Sequence, residues 1–189
     1  MARSDRRVQY TKRVMKEAVL ELLKKKSIVE VTIKEICELA DVNRGTFYLH
    51  YAQPHDILKE IENSFIEQNM ATFDDYWANE RDPNRMAAIF RCMLENKELC
   101  RVLMGENGDP QFMRSLVNLG REGIVDEWQK EFPDYARDKL DFLFDYVFTG
   151  STRLILNWID DDRGISVETF AQRLERLGHY SLLAVADFL

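Results

Sequence analysis

An all-helical protein is what these 189 residues predict, and three observations carry that expectation. Apolar residues recur at spacings of three and four almost everywhere, the mark of amphipathic helices. Four prolines and eight glycines leave little material for turns. No stretch alternates apolar and polar residues in the manner of a half-buried strand. With 46% hydrophobic and 31% charged residues the balance is that of an ordinary globular chain, long enough for one sizeable core or two small ones.

The elements follow in order. Val14, Ala18 and Leu22, with Met15 and Val19 beside them, set a first amphipathic helix from about Arg6 to Lys25, and the chain breaks at KSIVEV. Thr32-Ile33-Lys34-Glu35 is a capping box: the Thr32 hydroxyl can accept from the Glu35 amide while the Glu35 carboxylate returns to the Thr32 amide. The helix it starts carries Ile33, Ile36, Cys37 and Ala40 on one side. It is short, because Asp41-Val42-Asn43 supplies turn and cap residues at once, Asn43 capping the next helix. Pro54 suits a first helical position and opens a long helix to about Ala78, its apolar side marked by Ile57, Leu58, Ile61, Phe65 and Phe73. Pro83 and Pro110 open later helices. Between them RMAAIFRCMLENKELCRVLM forms two shorter ones, followed by a loop at GENGD and a helix through Trp128, after which Pro133 begins the next.

From Leu140 to Ile159 the pattern is apolar on more than one side. Leu140, Leu143, Val147, Ser151, Leu154 and Trp158 form one stripe, and Phe142, Tyr146, Thr149 and Leu156 a second. One core cannot cover both, so the helix is either central in its own domain or half covered by another subunit. The last helix adds a stripe of Phe170, Leu174, Leu177, Ser181, Leu182, Val185 and Phe188, and the small residues Gly150, Ser151 and Gly178 allow close approach. Two such helices from each of two chains would make a four-helix interface. Its expected residues are Phe142, Tyr146, Leu156, Phe170, Leu174 and Leu177.

Net charge is −7, which taken whole argues against a nucleic-acid binder, but charge belongs to faces. Residues 1–60 hold twelve Lys and Arg against nine Asp and Glu, while the remainder holds fourteen against twenty-four. The N-terminal piece can approach a polyanion that the remainder would repel. No run approaches the roughly 18 apolar residues of a membrane span, and the start MARSDRRVQYTKR is charged where a signal peptide turns apolar, so a cytoplasmic protein with no membrane partner is expected. Cys37, Cys92 and Cys100 make no C-x-x-C pair and sit in amphipathic segments; the expectation is small core residues in a reduced compartment, with thiol sensing at Cys92 or Cys100 the alternative.

Other chemistries find little support. His50, His55 and His179 make no H-x-x-x-H pair, so no metal site is expected. No glycine-rich phosphate loop and no G-x-S-x-G turn occurs, so neither a cofactor nor enzyme activity is expected. Asp160-Asp161-Asp162 lacks oxygen ligands at alternating loop spacing and reads as a solvated helix end.

The stretch ADVNRGTFYLHY, residues 40–51, concentrates the distinctive chemistry. Two short helices joined by a tight turn and braced by a longer one form a helix-turn-helix, whose second helix fits the major groove of DNA. Val42, Phe47 and Tyr51 point back into a small core of Val14, Leu22 and Ile36, leaving Arg44, Gly45, Thr46, Tyr48, Leu49 and His50 outward or along the edges. A merely solvated face would carry Glu, Lys and Gln. Gly45 costs about 1 kcal/mol of helix propensity relative to alanine, and in exchange no side chain holds the backbone off a neighbouring surface. Arg44 can pair with guanine, Thr46 and Leu49 can meet a thymine methyl, and Tyr48 and His50 can donate to phosphates. No carboxylate stands between Asp41 and Asp56.

TIKEICELADVNRGTFYLHYAQPHDIL resembles the DNA-binding segment of the tetracycline-repressor-like (TetR) family of bacterial transcription regulators, with similarity over about residues 8–62 and a specific pattern Val-x-x-Gly-Thr-Phe-Tyr-x-His-Tyr. The resemblance implies that Thr32 is a cap that also touches phosphate, that Asn43, Arg44 and Gly45 open the recognition helix, and that Thr46, Tyr48 and His50 contact DNA. Three positions depart from the family pattern. Asp41 replaces a glycine before the turn valine, Ser27 a glycine after the first helix, and Pro54 a phosphate-gripping lysine that His55 would replace only partly. FDYVFTGSTRLILNWIDDD is similar to the end of one C-terminal subtype of the family.

The expectation is therefore a three-helix N-terminal helix-turn-helix DNA-binding domain, residues 1–52, and a larger helical regulatory and dimerisation domain, residues 53–189. The resemblance implies a homodimeric repressor on a near-palindromic site in double-stranded DNA, released by a small-molecule effector of unknown identity. Trp77, Phe90, Trp128 and Phe144 are candidate pocket residues for that effector. The competing reading is a TetR-like helical co-regulator that has lost DNA binding and docks on a protein partner, for which Pro54 and an exposed Leu49 speak.

Overall fold

The computed structural model describes residues 3–78, 82 and 84–185, and among these every regular element is helical. In chain order they are α1 (Arg3–Leu23), a 3-10 turn (Ile28–Glu30), α2 (Ile33–Ala40), α3 (Arg44–Tyr48), α4 (Pro54–Ala78), α5 (Arg85–Glu95), α6 (Lys97–Met104), α7 (Pro110–Glu131), α8 (Arg137–Asp160) and α9 (Val167–Val185). The expected helix opened by Pro83 concerns a residue outside the described ones.

The chain forms two compact units, Met1–Asn69 with Glu98–Phe112, and Met70–Lys97 with Met113–Leu189. In the first, α1 packs on α2 and α2 on α3. Met15, Val19, Leu23, Ile36, Phe47, Ile57, Leu58, Cys100 and Leu103 are fully buried there, and the Phe65 and Phe112 rings meet edge to face at 6.1 Å. The core is therefore larger than the one expected from Val14, Leu22 and Ile36, with Met15 taking the buried place and Val14 half-buried. The first part of α4 and most of α6 belong to this unit, so the compact boundary does not fall at residues 52 and 53.

In the second unit α9 packs on α5 and α8. One cluster joins Val125 of α7, Leu140, Leu143 and Phe144 of α8 and Leu182 of α9, with Trp128, Phe132, Tyr135 and Val147 partly buried against it. A second is aromatic. Trp158 and Phe170 stack at 4.5 Å, Phe90 lies 5.3 Å from Phe170, and the Trp158 indole N–H donates to the Ile165 carbonyl at 3.1 Å. The turn between α8 and α9 uses the acidic run as turn acceptors: Asp161 and Asp162 carboxylates receive the Arg163 and Gly164 amides, and all three aspartates are exposed.

Two expectations need correction. Pro133 does not begin a helix: α7 ends with the Phe132 amide on the Trp128 carbonyl, Tyr135 turns back to Phe132 with the rings stacked at 5.1 Å, and α8 starts at Arg137. A proline just past a helix end is a stop rather than a start. Phe170 and Leu174, expected at a subunit interface, are buried inside their own unit, since α9 turns that side toward α5. Phe170→Ala should accordingly cost about 3–5 kcal/mol of folding stability. Urea unfolding at several protein concentrations should show the same loss at each, whereas an interface residue would show a loss that grows as the chain is concentrated.

Candidate nucleic-acid interface

The reading head is built around a helix too short to stand alone. α3 spans five residues, well under the roughly 12–15 at which isolated helices become marginal, so its neighbours must hold it. On its N-terminal side, Asp41 adopts the left-handed conformation at φ 50°, ψ 48° and ends α2, with the Val42 amide on the Cys37 carbonyl at 3.0 Å. Aspartate tolerates this region better than most residues, which is how the chain turns without the family's glycine. The Asn43 side chain then caps α3, accepting the Thr46 amide at 2.7 Å and the Thr46 hydroxyl at 3.1 Å. On the inner side Phe47 is fully buried and Tyr51 nearly so, and the two rings lie 6.2 Å apart. At the C-terminal end Asp56 accepts the Ala52 and Gln53 amides at 2.9 and 3.0 Å, joining the head to the first turn of α4. The Gln53 amide hydrogen bond, against a partial burial that works the other way, holds the Asp56 carboxyl below its ordinary value.

With the inner side so fixed, the outer side is decided. Tyr48 is 61% exposed and Leu49 79%, Arg44 and Gly45 are exposed, and His50 lies half-buried along the edge with its ring against Tyr51. Arg44 has no ion pair among the described residues. A side-chain carbon on Gly45 would stand 3.2 Å from the Asn43 cap oxygen, so glycine here keeps both the cap undisturbed and the outer surface low. Thr46 is half-buried, its hydroxyl spent on the cap and its methyl left for contact.

Two further residues that the resemblance places at DNA also have partners within the chain. The Thr32 hydroxyl accepts the Glu35 amide at 3.3 Å and faces a Glu35 oxygen at 2.7 Å, completing the capping box. Its hydrogen-bonding capacity thus serves the helix first. His55 Nε2 lies 3.6 Å from an Asp109 oxygen.

Cations that brace the head escaped the sequence reading because their partners are remote in the chain. Lys12 and Lys16 of α1 converge on Glu60 of α4 at 2.8 and 3.0 Å, and the Lys12 ammonium lies 5.2 Å from the centre of the Tyr51 ring. Lys26 reaches Glu35 at 2.5 Å. Only the periodicity of α1, which puts Lys12 and Lys16 one turn apart, could have signalled the first pair.

In the second unit the candidate effector residues separate. Phe90 belongs to the Trp158–Phe170 cluster, while Trp128 and Phe144 pack on each other at 6.2 Å in the other cluster. Phe90 and Phe144 are buried core residues, and the Trp77 side chain lies outside the described residues. Of the expected interface residues, Phe142, Tyr146 and Leu177 are exposed at 64%, 68% and 54%, and Leu156 is half-buried. Leu154, Tyr180 and Leu183 join them as exposed apolar residues of α8 and α9. Cys37 and Cys100 are buried, and burial pushes the Cys37 and Cys92 thiols up, away from the reactive thiolate. Among the described residues no His, Cys, Asp or Glu group could hold a metal ion, and no helix is long and apolar enough to cross a membrane.

Comparison with known proteins settles what this scaffold is. Residues 83–180 match the TetR family model described as the transcriptional regulator C-terminal region. The chain belongs to the TetR family of transcriptional regulators. It is 29% identical over 169 residues to an uncharacterized HTH-type transcriptional regulator, YxbF, of Bacillus subtilis strain 168, an alignment covering 86% of this chain and 43% of that protein. The chain thus spans less than half the length of that curated relative. In fold it resembles a TetR transcriptional regulator from Streptococcus agalactiae 2603V, with a TM-score of 0.65 at 22% identity over 96% of this chain and 97% of the other. A putative TetR-family regulator from Syntrophomonas wolfei gives 0.64 at 18% over 93% and 96%. These matches are regulators, not enzymes.

The bracing carboxylates make the head of this regulator acid-sensitive. Glu35 is held at about 2 by Lys26 and Thr32. Partial burial works against the charged form of Glu60, but Lys12 and Lys16 bring it to about 2 as well. Because both folded values lie below the ordinary 4.5, their stabilisation is complete above pH 4.5 and disappears as pH falls toward 2. Acid titration followed by circular dichroism should show this loss, and Glu35→Gln with Glu60→Gln should flatten the profile in that window while lowering stability at neutral pH.

Proposed function

We propose that this TetR-family chain is a sequence-specific DNA-binding transcriptional regulator whose α3 enters the major groove. The observation that carries the reading is the outer side of α3 and its continuation. Arg44, Gly45, Tyr48 and Leu49 are exposed with Phe47 buried behind them, and no carboxylate lies between Asp41 and Asp56. Arg44 supplies a planar fork for guanine O6 and N7, Thr46 and Leu49 supply methyl contacts for thymine, and Tyr48 and His50 supply phosphate donors. Asn43 serves chiefly as the cap that aims the others, and Thr32 as the cap behind them. His55 is left out of this surface.

The partner in assembly is a second copy. Phe142, Tyr146 and Leu154 of α8 and Leu177, Tyr180 and Leu183 of α9 are exposed on two helices that pack together, and a monomer would leave this apolar set in water. Pairing it isologously gives a four-helix interface and two heads for a near-palindromic site. Repression relieved by a small molecule completes the proposal: an effector in the second unit shifts the population toward dimers whose heads no longer fit successive grooves. The packing of Phe90 and Phe144 into separate clusters speaks against one pocket lined by all four aromatic candidates.

Exposed Leu39 and Leu49 favour one competing occupant, a protein docked on the head in place of DNA. Selection of bound genomic fragments separates the two, since one enriched inverted repeat supports the regulator and recovery of none sinks it. On the selected duplex Arg44→Ala should cost about 1–3 kcal/mol per half-site and relax preference at one base pair. Uniform weakening across all duplexes would make Arg44 a backbone contact. Tyr146→Asp combined with Leu177→Glu should convert the dimer to a folded monomer in sedimentation, with duplex affinity falling by well over tenfold as the two heads are uncoupled.

A further inference from the structure

Two stretches of the head carry no carboxylate. One is residues 42–55, which contain α3, and the other is residues 6–16 of α1, with five Lys and Arg and no Asp or Glu. The two meet in space. Lys12 holds its ammonium 5.2 Å from the centre of the Tyr51 ring, three residues past the end of α3, so the first half of α1 runs beside the end of the reading helix.

Not all five cations are open to a partner. Lys12 and Lys16 are half-buried and both are engaged by Glu60. Arg6, Arg7 and Arg13 are exposed. Arg13 pairs with Glu17 one turn on, but both side chains are more than half exposed, so solvent screens the pair and the guanidinium can change partner at little cost. Arg6 and Arg7 have no ion pair among the described residues. Tyr10 stands between these arginines, 59% exposed, with the Arg13 guanidinium 5.2 Å from its ring centre. Arg6, Tyr10 and Arg13 follow at spacings of four and three, one stripe of the helix, and Arg7 flanks Tyr10 from three residues before it. Further along α1, the outward side is balanced as a solvated face is: Lys24 meets Glu21 at 2.9 Å. The first half lacks that balance. Adjacent unpaired cations repel one another and contribute nothing to the fold, and a polyanion laid beside them removes the repulsion.

We propose that Arg6, Arg7, Tyr10 and Arg13 form a second DNA surface, which holds the phosphates bordering the groove that α3 enters and adds affinity without sequence preference. Residues 42–55 bring a single Lys or Arg, Arg44, whereas much of the affinity for duplex DNA comes from phosphates neutralised by cations. The stripe provides what those residues lack: guanidinium forks and a phenol, both of them phosphate donors. Arg6 stands about 9 Å along α1 from Lys12. That displacement is on the scale of the major groove, about 12 Å wide, and carries the stripe from base edges to a bordering strand. This role rests on the reading of α3 as the helix that enters the groove.

The test is a salt titration of binding to the selected duplex and to a scrambled one, comparing the full chain with Arg6→Gln/Arg7→Gln and with Arg6→Lys/Arg7→Lys. The glutamine pair should bind both duplexes more weakly, and its log affinity should fall less steeply with log salt, by about 2 for each head bound. Preference for the selected duplex should stay within about twofold, in contrast to the relaxed preference of Arg44→Ala. The lysine pair keeps the charges and should keep the slope. Thermal unfolding should be unchanged in both pairs, since neither arginine has an ion pair within the chain to lose. An unaltered slope in the glutamine pair overturns the second surface while leaving α3 as the reader. A preference that falls well beyond twofold also overturns it, because the arginines would then be reading bases. If the unmodified protein binds neither duplex, the reading of α3 falls and this surface falls with it.

Discussion

Burial of Phe47 is the constraint on which the reading head depends. A helix of five residues has no stability of its own to spend, and its direction comes from one ring sunk completely into the core made by α1, α2 and α4. Everything outward follows from that single choice of inside. With Phe47 and Tyr51 inward, Arg44, Tyr48 and Leu49 have nowhere to go but solvent, and the surface they make is apolar and cationic without any carboxylate to oppose a polyanion. The caps refine the aim. Asp41 bends the backbone, Asn43 fixes the first turn, and Asp56 ties off the end, so a short helix is gripped at both termini and along its inner face.

What was legible in the sequence was what local chemistry determines. The capping box at Thr32 and Glu35, the Asn43 cap, the proline starts of α4 and α7 and the inward turn of Phe47 and Tyr51 each depend on residues within a few positions of one another, and each stands in the structure as expected. Pro133 was misassigned for an instructive reason. Proline fits a first helical turn and also the residue after a helix, and the choice was made by Phe132 and Tyr135 stacking, a contact that spacing does not reveal.

Illegible were contacts between residues distant in sequence. Nothing near Glu60 announces Lys12 and Lys16, nothing near Asp109 announces His55, and the placing of α6 among the head's helices leaves no mark in its own periodicity. The same limit explains the two-sided helix α8. Its apolar residues were evident, but which stripe faces the chain's own core depends on where α7 and α9 lie. The structure places Leu140, Leu143 and Phe144 inward and leaves Phe142, Tyr146 and Leu154 outside. Phe170 and Leu174 went the other way, because α5 supplies Phe90 to meet them.

The two kinds of interaction divide the labour in the head. Local caps and turns set the conformation of residues 41–56, and they involve exposed groups whose individual worth is modest. Remote charges set how that rigid piece is seated: Lys12 and Lys16 on Glu60 at one side of α4, Lys59 and His55 on Asp109 at the other. A helix that must present the same face each time needs the first kind, and a helix whose presentation can be adjusted needs the second, because only remote contacts can change while the local conformation persists. The charges on the first side are exposed enough for solvent to screen, whereas the Glu62 and Asp109 carboxylates are not. The buried side is therefore where the loss of one cation costs most, because a carboxylate left there without its partner is kept from water.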